Sequence, residues 1–174
     1  MSSTLHTFRS RLVKAAAPAA LAALAWLAAT ANANAASSCE AVSGRYVEWA
    51  VSENCQSPVG LCIAGEYRGM VKGDFEGTAT SLIPTADTPT TNVVLFTSDS
   101  TIHAKVMGKT GDLIIKNAGA FRNPGGDIID LQVIAGGTGE LAGATGALRA
   151  SGTFDFDAGM GESEYIGSIC LPQP

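Results

Sequence analysis

The sequence predicts an all-β protein, an antiparallel eight-stranded up-and-down barrel. Three observations lead to this prediction. Beyond residue 36, apolar and polar residues alternate as in strands with one buried face, and no segment shows a sustained helical period. Short turns rich in glycine, proline and asparagine separate the strands, which favours antiparallel neighbours. Eight such strands can close into a barrel, which removes exposed sheet edges.

Residues 1–35 are predicted to be a signal peptide rather than part of the fold. Three basic residues precede a short apolar run rich in alanine and leucine, and small residues of the kind that a signal peptidase reads follow. We expect cleavage after Ala35, with Ala33 and Ala36 as alternatives. The run is shorter than the roughly 20 residues of a membrane span, so no membrane anchor is expected. Residues 36–174 would then form a single exported domain, secreted or periplasmic.

The predicted mature chain is acidic. All 16 Asp and Glu residues lie beyond residue 35, but only 8 of the 11 Lys and Arg residues do, which gives a formal net charge of 8 − 16 = −8. Nucleic acid is therefore not an expected partner, because binding a polyanion needs a basic surface.

Four cysteines follow the predicted signal peptide, at positions 39, 55, 62 and 170. An even number in an exported chain predicts two disulfides. We prefer the pairs Cys39–Cys170, near the chain ends, and Cys55–Cys62, around a Ser-Pro-Val-Gly turn. Cys39–Cys55 with Cys62–Cys170 is the alternative. No Cys-x-x-Cys pair occurs and the mature chain has one histidine, so neither a metal site nor a cofactor is expected.

The first three strands are predicted between residues 47 and 82. Val47, Trp49 and Val51 supply the alternating apolar residues of the first. Residues 61–82 alternate throughout and would span about 69 Å if straight, at roughly 3.3 Å per residue, so this run must fold back or bend. A three-residue loop at residues 71–73 would keep its apolar side chains on one face, and a kinked single strand is the alternative.

The other five strands follow the same alternation. A polar loop rich in proline and threonine precedes the fourth, and short turns separate most of the others. These strands are predicted at residues 93–106, 113–121, 127–135, 149–157 and 162–171.

The segment at residues 134–152 is unusually rich in glycine. Its spacing fits neither a dinucleotide-binding fingerprint nor a phosphate-binding Walker loop, and it lacks the Asp of a calcium-binding repeat. The glycines that set its pattern are Gly136, Gly137, Gly139, Gly143 and Gly146.

Together with Ile134, Leu141 and Ala144, these glycines resemble the segment that joins two late strands in the allene oxide cyclase barrel and in the dirigent proteins. The resemblance implies a tight crossover at a barrel rim with Leu141 tucked inward. It also implies an apolar ligand inside the barrel and, often, a homotrimer. The cyclases rearrange an epoxide derived from a fatty acid and the dirigents guide the coupling of phenolic radicals. No functional residue of either can be carried over to this sequence.

Asp130 is the one polar candidate for the barrel lumen. It shares a strand face with Gln132, and in the lumen it would be a buried carboxyl with a raised pKa, able to act as an acid or a ligand anchor. The opposite face of the same strand is more apolar. It carries Ile129, Leu131 and Val133. We therefore expect Asp130 to point outward.

The other polar residues are weaker candidates for a functional site. His103 and Asp99 lie on one strand about 13 Å apart, too far for a hydrogen-bonded pair, and we expect both on the solvated outer face. Ser98 and Ser100 lack the context of a nucleophile elbow, so a serine hydrolase is not expected. Outer-face charges are predicted at Glu66 and Arg68. Core or rim aromatic residues are predicted at Trp49 and Tyr67.

The expected function is binding of a small hydrophobic molecule in the lumen, with an isomerase-like or cyclase-like activity as an extension that no assigned residue supports. The alternative is a non-catalytic surface or matrix protein with a solid barrel. An apolar pocket of roughly 300 Å³ or more would favour the first. The second would need a lumen filled by Phe75, Phe96, Phe154 and Phe156.

Overall fold

A computed structural model describes residues 37–85, 92–124 and 126–173 of the 174-residue chain. They belong to one compact unit, Asn34–Pro174. The predicted signal peptide lies outside the described residues, so it stays a prediction, as do its cleavage site and the export that depends on it. In the described ranges, no helix is long and apolar enough to cross a membrane.

The described chain folds as eight antiparallel strands in a closed barrel. Each strand pairs with the next in sequence, and the last pairs with the first. This order confirms the predicted fold class. The strands are β1 (Ser37–Val51), β2 (Cys62–Gly69), β3 (Val71–Pro84), β4 (Val93–Val106), β5 (Lys109–Arg122), β6 (Asp127–Gly137), β7 (Thr145–Asp155) and β8 (Met160–Pro172).

Two disulfides are present, with the preferred pairing. Cys39 and Cys170 lie directly opposite each other in the β1–β8 ladder, so their bond crosses the seam that closes the barrel. Cys55 and Cys62 join the loop after β1 to the first residue of β2. The first bond encloses nearly the whole domain, whereas the second encloses one short loop.

The long alternating run after Leu61 folds back into a β2–β3 hairpin. Tyr67 and Gly73 form the last pair of this ladder, and Met70 alone lies outside both strands, so the loop precedes the predicted residues 71–73. The predicted parity was right, because the five residues between the last paired positions are an odd number, which keeps the apolar side chains on one face. Val71 is buried and pairs with Val106 of β4, which explains why it belongs to a strand rather than to the loop.

The two ends of the barrel differ. At the closed end, where β1 begins, a 3-10 turn at Gly139–Leu141 lies beside the start of β5 and buries Leu141 completely. The main apolar core surrounds this end, with Val71, Val106 and Ile169 fully or almost fully buried. At the open end, where β1 finishes, the strands carry phenylalanines instead. Leu141 thus points inward, as the resemblance implied, and its side chain fills the closed end of the barrel.

The glycine segment supports a sharp mutational comparison between two adjacent residues. An alanine at position 137 would drive its Cβ into the carbonyl oxygen of Leu141 and to 2.8 Å from that of Asp112, whereas nothing lies within 4 Å at position 136. We expect Gly137→Ala to lower the free energy of unfolding by about 1–3 kcal/mol, and Gly136→Ala to leave it nearly unchanged. Urea unfolding of both variants measures the difference. Equal losses would contradict the proposed close approach at Gly137.

β1 turns toward the barrel interior the face opposite to the one that Val47, Trp49 and Val51 predicted. Tyr46 and Glu48 are buried, while Val47 is half-buried and Trp49 is 41% exposed. Trp49 was predicted to lie in the core or at the rim of the barrel. Its exposure shows that it does not lie in the core. Both faces of β1 carry apolar side chains, so alternation alone could not decide between them.

The prediction that Asp130 points outward was also wrong. Asp130 and Gln132 are 5% and 2% exposed inside the barrel, whereas Ile129, Leu131 and Val133 are 61%, 47% and 42% exposed outside. The physical reason is that the folded barrel supplies polar partners for Asp130 from a neighbouring strand and from its own. A strand pattern read in isolation shows how apolar a face is, but not which partners its polar groups will meet.

Candidate functional site in the barrel lumen

A pocket opens into the lumen from the open end. Its volume is about 70 Å³, below the roughly 300 Å³ that we set as the mark of a ligand-binding lumen, but the barrel is not solid. The lining contains apolar, aromatic and polar side chains. They are Tyr46, Glu48, Leu61, Ile63, Tyr67, Phe75, Ala79, Phe96, Ser98, Ser100, Asn117, Phe121, Ile128, Asp130, Gln132, Phe154 and Phe156.

Four phenylalanines form the mouth of this pocket: Phe96, Phe121, Phe154 and Phe156. Neighbouring ring centroids lie 5.0 to 6.2 Å apart, and Phe156 is 43% exposed. Three of them were predicted as plugging residues, and the fourth predicted residue, Phe75, lies deeper. They narrow the entrance without filling the space behind it.

The floor of the pocket is a second aromatic cluster, formed by Tyr46, Tyr67 and Phe75. Their ring centroids are separated by 4.9, 5.7 and 5.2 Å. All three side chains are buried and belong to the main core. The floor is therefore fixed by packing, so polar groups just above it are held on a rigid base.

A hydrogen-bond network holds Asp130 above this floor. Tyr67 Oη donates to Gln132 Oε1 at 2.9 Å, and Gln132 Nε2 donates to Asp130 Oδ2 at 3.0 Å. Asn117 Nδ2 donates to the same Asp130 oxygen at 2.8 Å, and Ser100 Oγ donates to Asn117 Oδ1 at 3.0 Å. These bonds join four strands, so folding places Asp130 in one defined orientation.

Glu48 is the second lumenal carboxyl, and sequence reasoning missed it. It is 4% exposed, and its partners across the neighbouring strands are Gly65 and Gly161. A Cβ at position 65 would run into the Phe75 ring, and one at position 161 would lie 3.0 Å from Glu48 Oε1, so these glycines make room for the lumenal side chains. Those glycines were the signal in the sequence, but reading them required knowing that Glu48 lies between the two strands.

Two carboxyl oxygens of residues that line this pocket have no hydrogen-bond partner, Glu48 Oε1 and Asp130 Oδ1. A third such atom, Ser163 Oγ, lies on the inward face of β8 opposite Tyr46 and outside the pocket lining. Buried polar groups are almost always hydrogen-bonded, so unpartnered atoms gathered in one place mark a region where a further group is expected.

The lumen changes the acidity of its ionisable groups. Burial, with the Asp130 carboxylate as the second cause, raises the pKa of Glu48 from 4.5 to about 7. Burial also raises the pKa of Asp130, while its bonds from Asn117 and Gln132 act in the opposite direction. The pKa values of the Tyr46 and Tyr67 hydroxyls are raised chiefly by burial, so both stay neutral. A carboxyl that titrates near neutral pH can hold or release a proton under ordinary conditions.

The other candidates lie where the sequence predicted. His103 is on the outer face, and its Nδ1 lies 2.8 Å from Asp112 Oδ1. Asp99 is also outside and accepts a 2.7 Å bond from Lys116. Glu66 and Arg68 pair at 2.7 Å on the outer face.

The serines have a different setting. Ser98 and Ser100 line the lumen, but His103 is on the opposite face of the same strand, so no serine–histidine arrangement forms. In the part of the chain that the structure describes, no group of three or more His, Cys, Asp or Glu residues could hold a metal ion.

The solved structures that are similar to this chain include two dirigent proteins. The chain is 13% identical to the pterocarpan synthase dirigent protein GePTS1, over 79% of this chain and 92% of that one, with a TM-score of 0.47. It is 12% identical to the pterocarpan synthase dirigent protein PsPTS1, over 79% and 97% of the two chains, with a TM-score of 0.34. The closed eight-stranded antiparallel barrel is the architecture that the glycine segment indicated.

Comparison of sequences identifies the family. No curated protein matches the chain. One family profile, described as "Protein of unknown function (DUF3224)", matches residues 63–165 and so covers β2 to β7 and part of β8. Since this match includes more than half of the chain, the protein belongs to the DUF3224 family.

Proposed function

We propose that the barrel binds a small molecule with one compact polar group and an apolar body. The polar group would contact Glu48 and Asp130, and the body would lie among the phenylalanines of the mouth. One observation carries this proposal: two buried carboxyls, each with one oxygen that lacks a hydrogen-bond partner, line a single pocket with an aromatic floor and an aromatic entrance. Ligand pockets commonly combine apolar walls with a few convergent polar groups.

Energetics support a missing partner. A buried polar atom without a hydrogen bond costs about 1–3 kcal/mol, so the two carboxyl oxygens are a sizeable burden for a domain of this size. A ligand that donates hydrogen bonds to Glu48 and Asp130 would recover part of that cost on binding. The site would therefore favour a ligand with a polar group over a purely hydrocarbon one.

The pocket volume limits how the ligand is held. A volume of about 70 Å³ suits a polar group and a few further atoms, and a larger body must remain at the mouth or displace Phe154 and Phe156. Phe156 is 43% exposed, so its ring is the one with the most freedom to move aside. The proposed ligand therefore differs from the one expected from the sequence: its polar group is enclosed by the barrel, and its apolar body is held at the mouth.

A second candidate function is favoured by the acidity of Glu48. A carboxyl with a pKa of about 7 is suited to give or take a proton at neutral pH, as an isomerase or cyclase reaction requires. Asp130 lies in the same pocket and would stabilise positive charge that develops there. In this function, the molecule bound in the lumen would also be rearranged.

Binding can be tested with fragments matched in size. We expect at least one of benzyl alcohol, benzylammonium and benzoate to shift the amide resonances of Glu48 and Asp130 saturably in NMR titrations. Ala79→Leu should weaken that binding at least tenfold, because Ala79 lines the pocket and the larger side chain would fill it. Thr153→Leu, on the exposed face of β7, is the control and should bind as the wild type does.

Two outcomes would reject lumenal binding. One is the absence of any saturable shift with all three fragments. The other is an equal loss of binding in Ala79→Leu and Thr153→Leu, which would place the fragment elsewhere. Either result would favour the alternative protein that acts through its outer surface.

The homotrimer implied by the dirigent resemblance stays a prediction. The exposed Ile129, Leu131 and Val133 offer an apolar face to such an assembly, since adjacent positions on β5 and β7 include small alanines. Sedimentation velocity of the purified protein would give its oligomeric state.

A further inference from the structure

In the lumen, the hydrogen-bond donors of the Asp130 network have partners, whereas one oxygen of each carboxyl has none. The donors of the network already have acceptors within the protein: Tyr67 bonds to Gln132, Gln132 and Asn117 bond to Asp130, and Ser100 bonds to Asn117. The carboxyl oxygens Glu48 Oε1 and Asp130 Oδ1 have no partner. An ionised carboxylate can only accept hydrogen bonds, so what these two oxygens lack is a donor.

The charge in the lumen is equally one-sided. Glu48 and Asp130 line the pocket, and none of its described lining residues is Lys, Arg or His. The buried polar side chains among the described residues likewise include no basic one. Buried charges are ordinarily paired, because an isolated charge in a low-dielectric site is costly. A bound cation would supply the charge that the walls do not.

The aromatic surroundings suit an organic cation. Tyr46, Tyr67 and Phe75 form the floor next to the carboxyls, and the phenylalanines of the mouth lie above them. Aromatic ring faces attract ammonium groups, and the attraction is stronger where water is excluded. A hydrated metal ion would gain little from these walls, whereas an amine with an apolar body contacts both kinds of surface.

We propose that the polar group of the ligand is a protonated amine, which donates N–H bonds to Glu48 Oε1 and Asp130 Oδ1 while its aliphatic or aromatic body lies toward the mouth. This inference rests on the proposed lumenal binding and narrows it to one class of ligand. A primary ammonium has three donors, enough for both carboxyls. Its head is also small enough for a pocket of about 70 Å³.

Binding of an amine would release a proton from the protein. Glu48 faces two other groups that titrate at high pH, Tyr46 and Tyr67, and one carboxyl, Asp130. The remaining polar groups around it are neutral hydroxyls and amides. With a pKa of about 7, free Glu48 holds its proton in mildly acidic solution, but contact with an ammonium requires the ionised form. Amine affinity should therefore fall about tenfold for each pH unit below about 7 and level off above it.

The test compares benzylammonium with benzyl alcohol, which has a similar shape and no charge. At pH 8 we expect benzylammonium to bind at least tenfold more tightly to the wild type, with proton release measured by calorimetry in two buffers at pH 6. Glu48→Gln should remove both the preference and the proton release. Glu164→Gln makes the same change of charge on the exposed face of β8 and should alter neither.

The outcomes distinguish failure of the amine inference from failure of the proposed lumenal binding. Equal or tighter binding of benzyl alcohol at pH 8 would overturn the amine inference and leave lumenal binding intact. An equal loss in Glu164→Gln would also overturn it, because the preference would then come from the general acidity of the protein. If neither probe shifts lumenal resonances, the proposed function fails as well.

Discussion

Replacing Glu48 by glutamine is expected to stabilise the barrel at pH 8 by about 3 kcal/mol, although Glu48 is a proposed ligand contact. Folding raises the pKa of Glu48 from 4.5 to about 7, so the folded state holds this proton more tightly than the unfolded state. Below about pH 4.5 both states are protonated and folding has no electrostatic penalty. Between about pH 4.5 and 7 the unfolded state ionises while the buried carboxyl keeps its proton, so stability falls progressively and the loss is complete once the pH has risen through 7. Glutamine has the same shape and never ionises.

Urea unfolding between pH 4 and pH 8 measures this effect. The wild type should lose stability across the interval, and Glu48→Gln should keep only the part of the slope that Asp130 contributes, because the pKa of Asp130 is raised in the same direction. Glu164→Gln, on the outer face, controls for the change in net charge. A wild type whose stability does not decline, or a variant no more stable than the wild type at pH 8, would contradict the assignment of Glu48 as a buried carboxyl.

Removing the disulfide at the barrel seam is expected to lower the free energy of unfolding more than any other substitution described above. Replacing both Cys39 and Cys170 by alanine should lower the free energy of unfolding by about 5 kcal/mol, because the bond closes a loop between residues 131 positions apart. Replacing Cys55 and Cys62, which are 7 positions apart, should cost about 2.5 kcal/mol. The stability of a domain of this size is of the same order as the larger loss, so the first variant should be largely unfolded at 37 °C.

Thermal unfolding of the two double variants under identical buffer conditions tests this order. Each variant is the other's control, since both remove one disulfide and two sulfur atoms. A larger loss from the Cys55 and Cys62 replacement would show that the loop after β1 matters more to the fold than the closing seam does.

Much of the architecture could be predicted from local patterns. Alternation and turn residues gave eight strands, because each strand is bounded by its own glycines or prolines. Parity fixed the β2–β3 hairpin, since only an odd turn keeps Tyr67 and Phe75 on one face. Burial of Leu141 followed from a motif confined to 13 residues. These features share one property: the residues that determine them are close in sequence.

The pocket itself could not be predicted in the same way. Asp130 is held by Asn117 of β5 and by Gln132, which in turn accepts a bond from Tyr67 of β2, 65 positions away. Glu48 reaches the same space from β1. Hydrophobic patterning assigns the more apolar face to the interior, and β1 and β6 violate that rule because their inner faces carry the polar groups of the site. The two strands whose faces were misassigned are thus the two that carry the carboxyls.

A bulge in β6 gives this misassignment a wider meaning. Ile114 pairs with Gly136 and Ile115 pairs with Ile134, so Ala135 is one extra residue in the ladder. Leu113 and Ile115 are both buried, and their partners Gly137 and Ile134 share the inner face although they are three positions apart. If the same residues alternated regularly from Gly137, Leu131 and Val133 would turn inward and Asp130 outward. The bulge therefore decides which face of β6 enters the lumen, and it places the carboxyl inside against the apolar pattern of the strand.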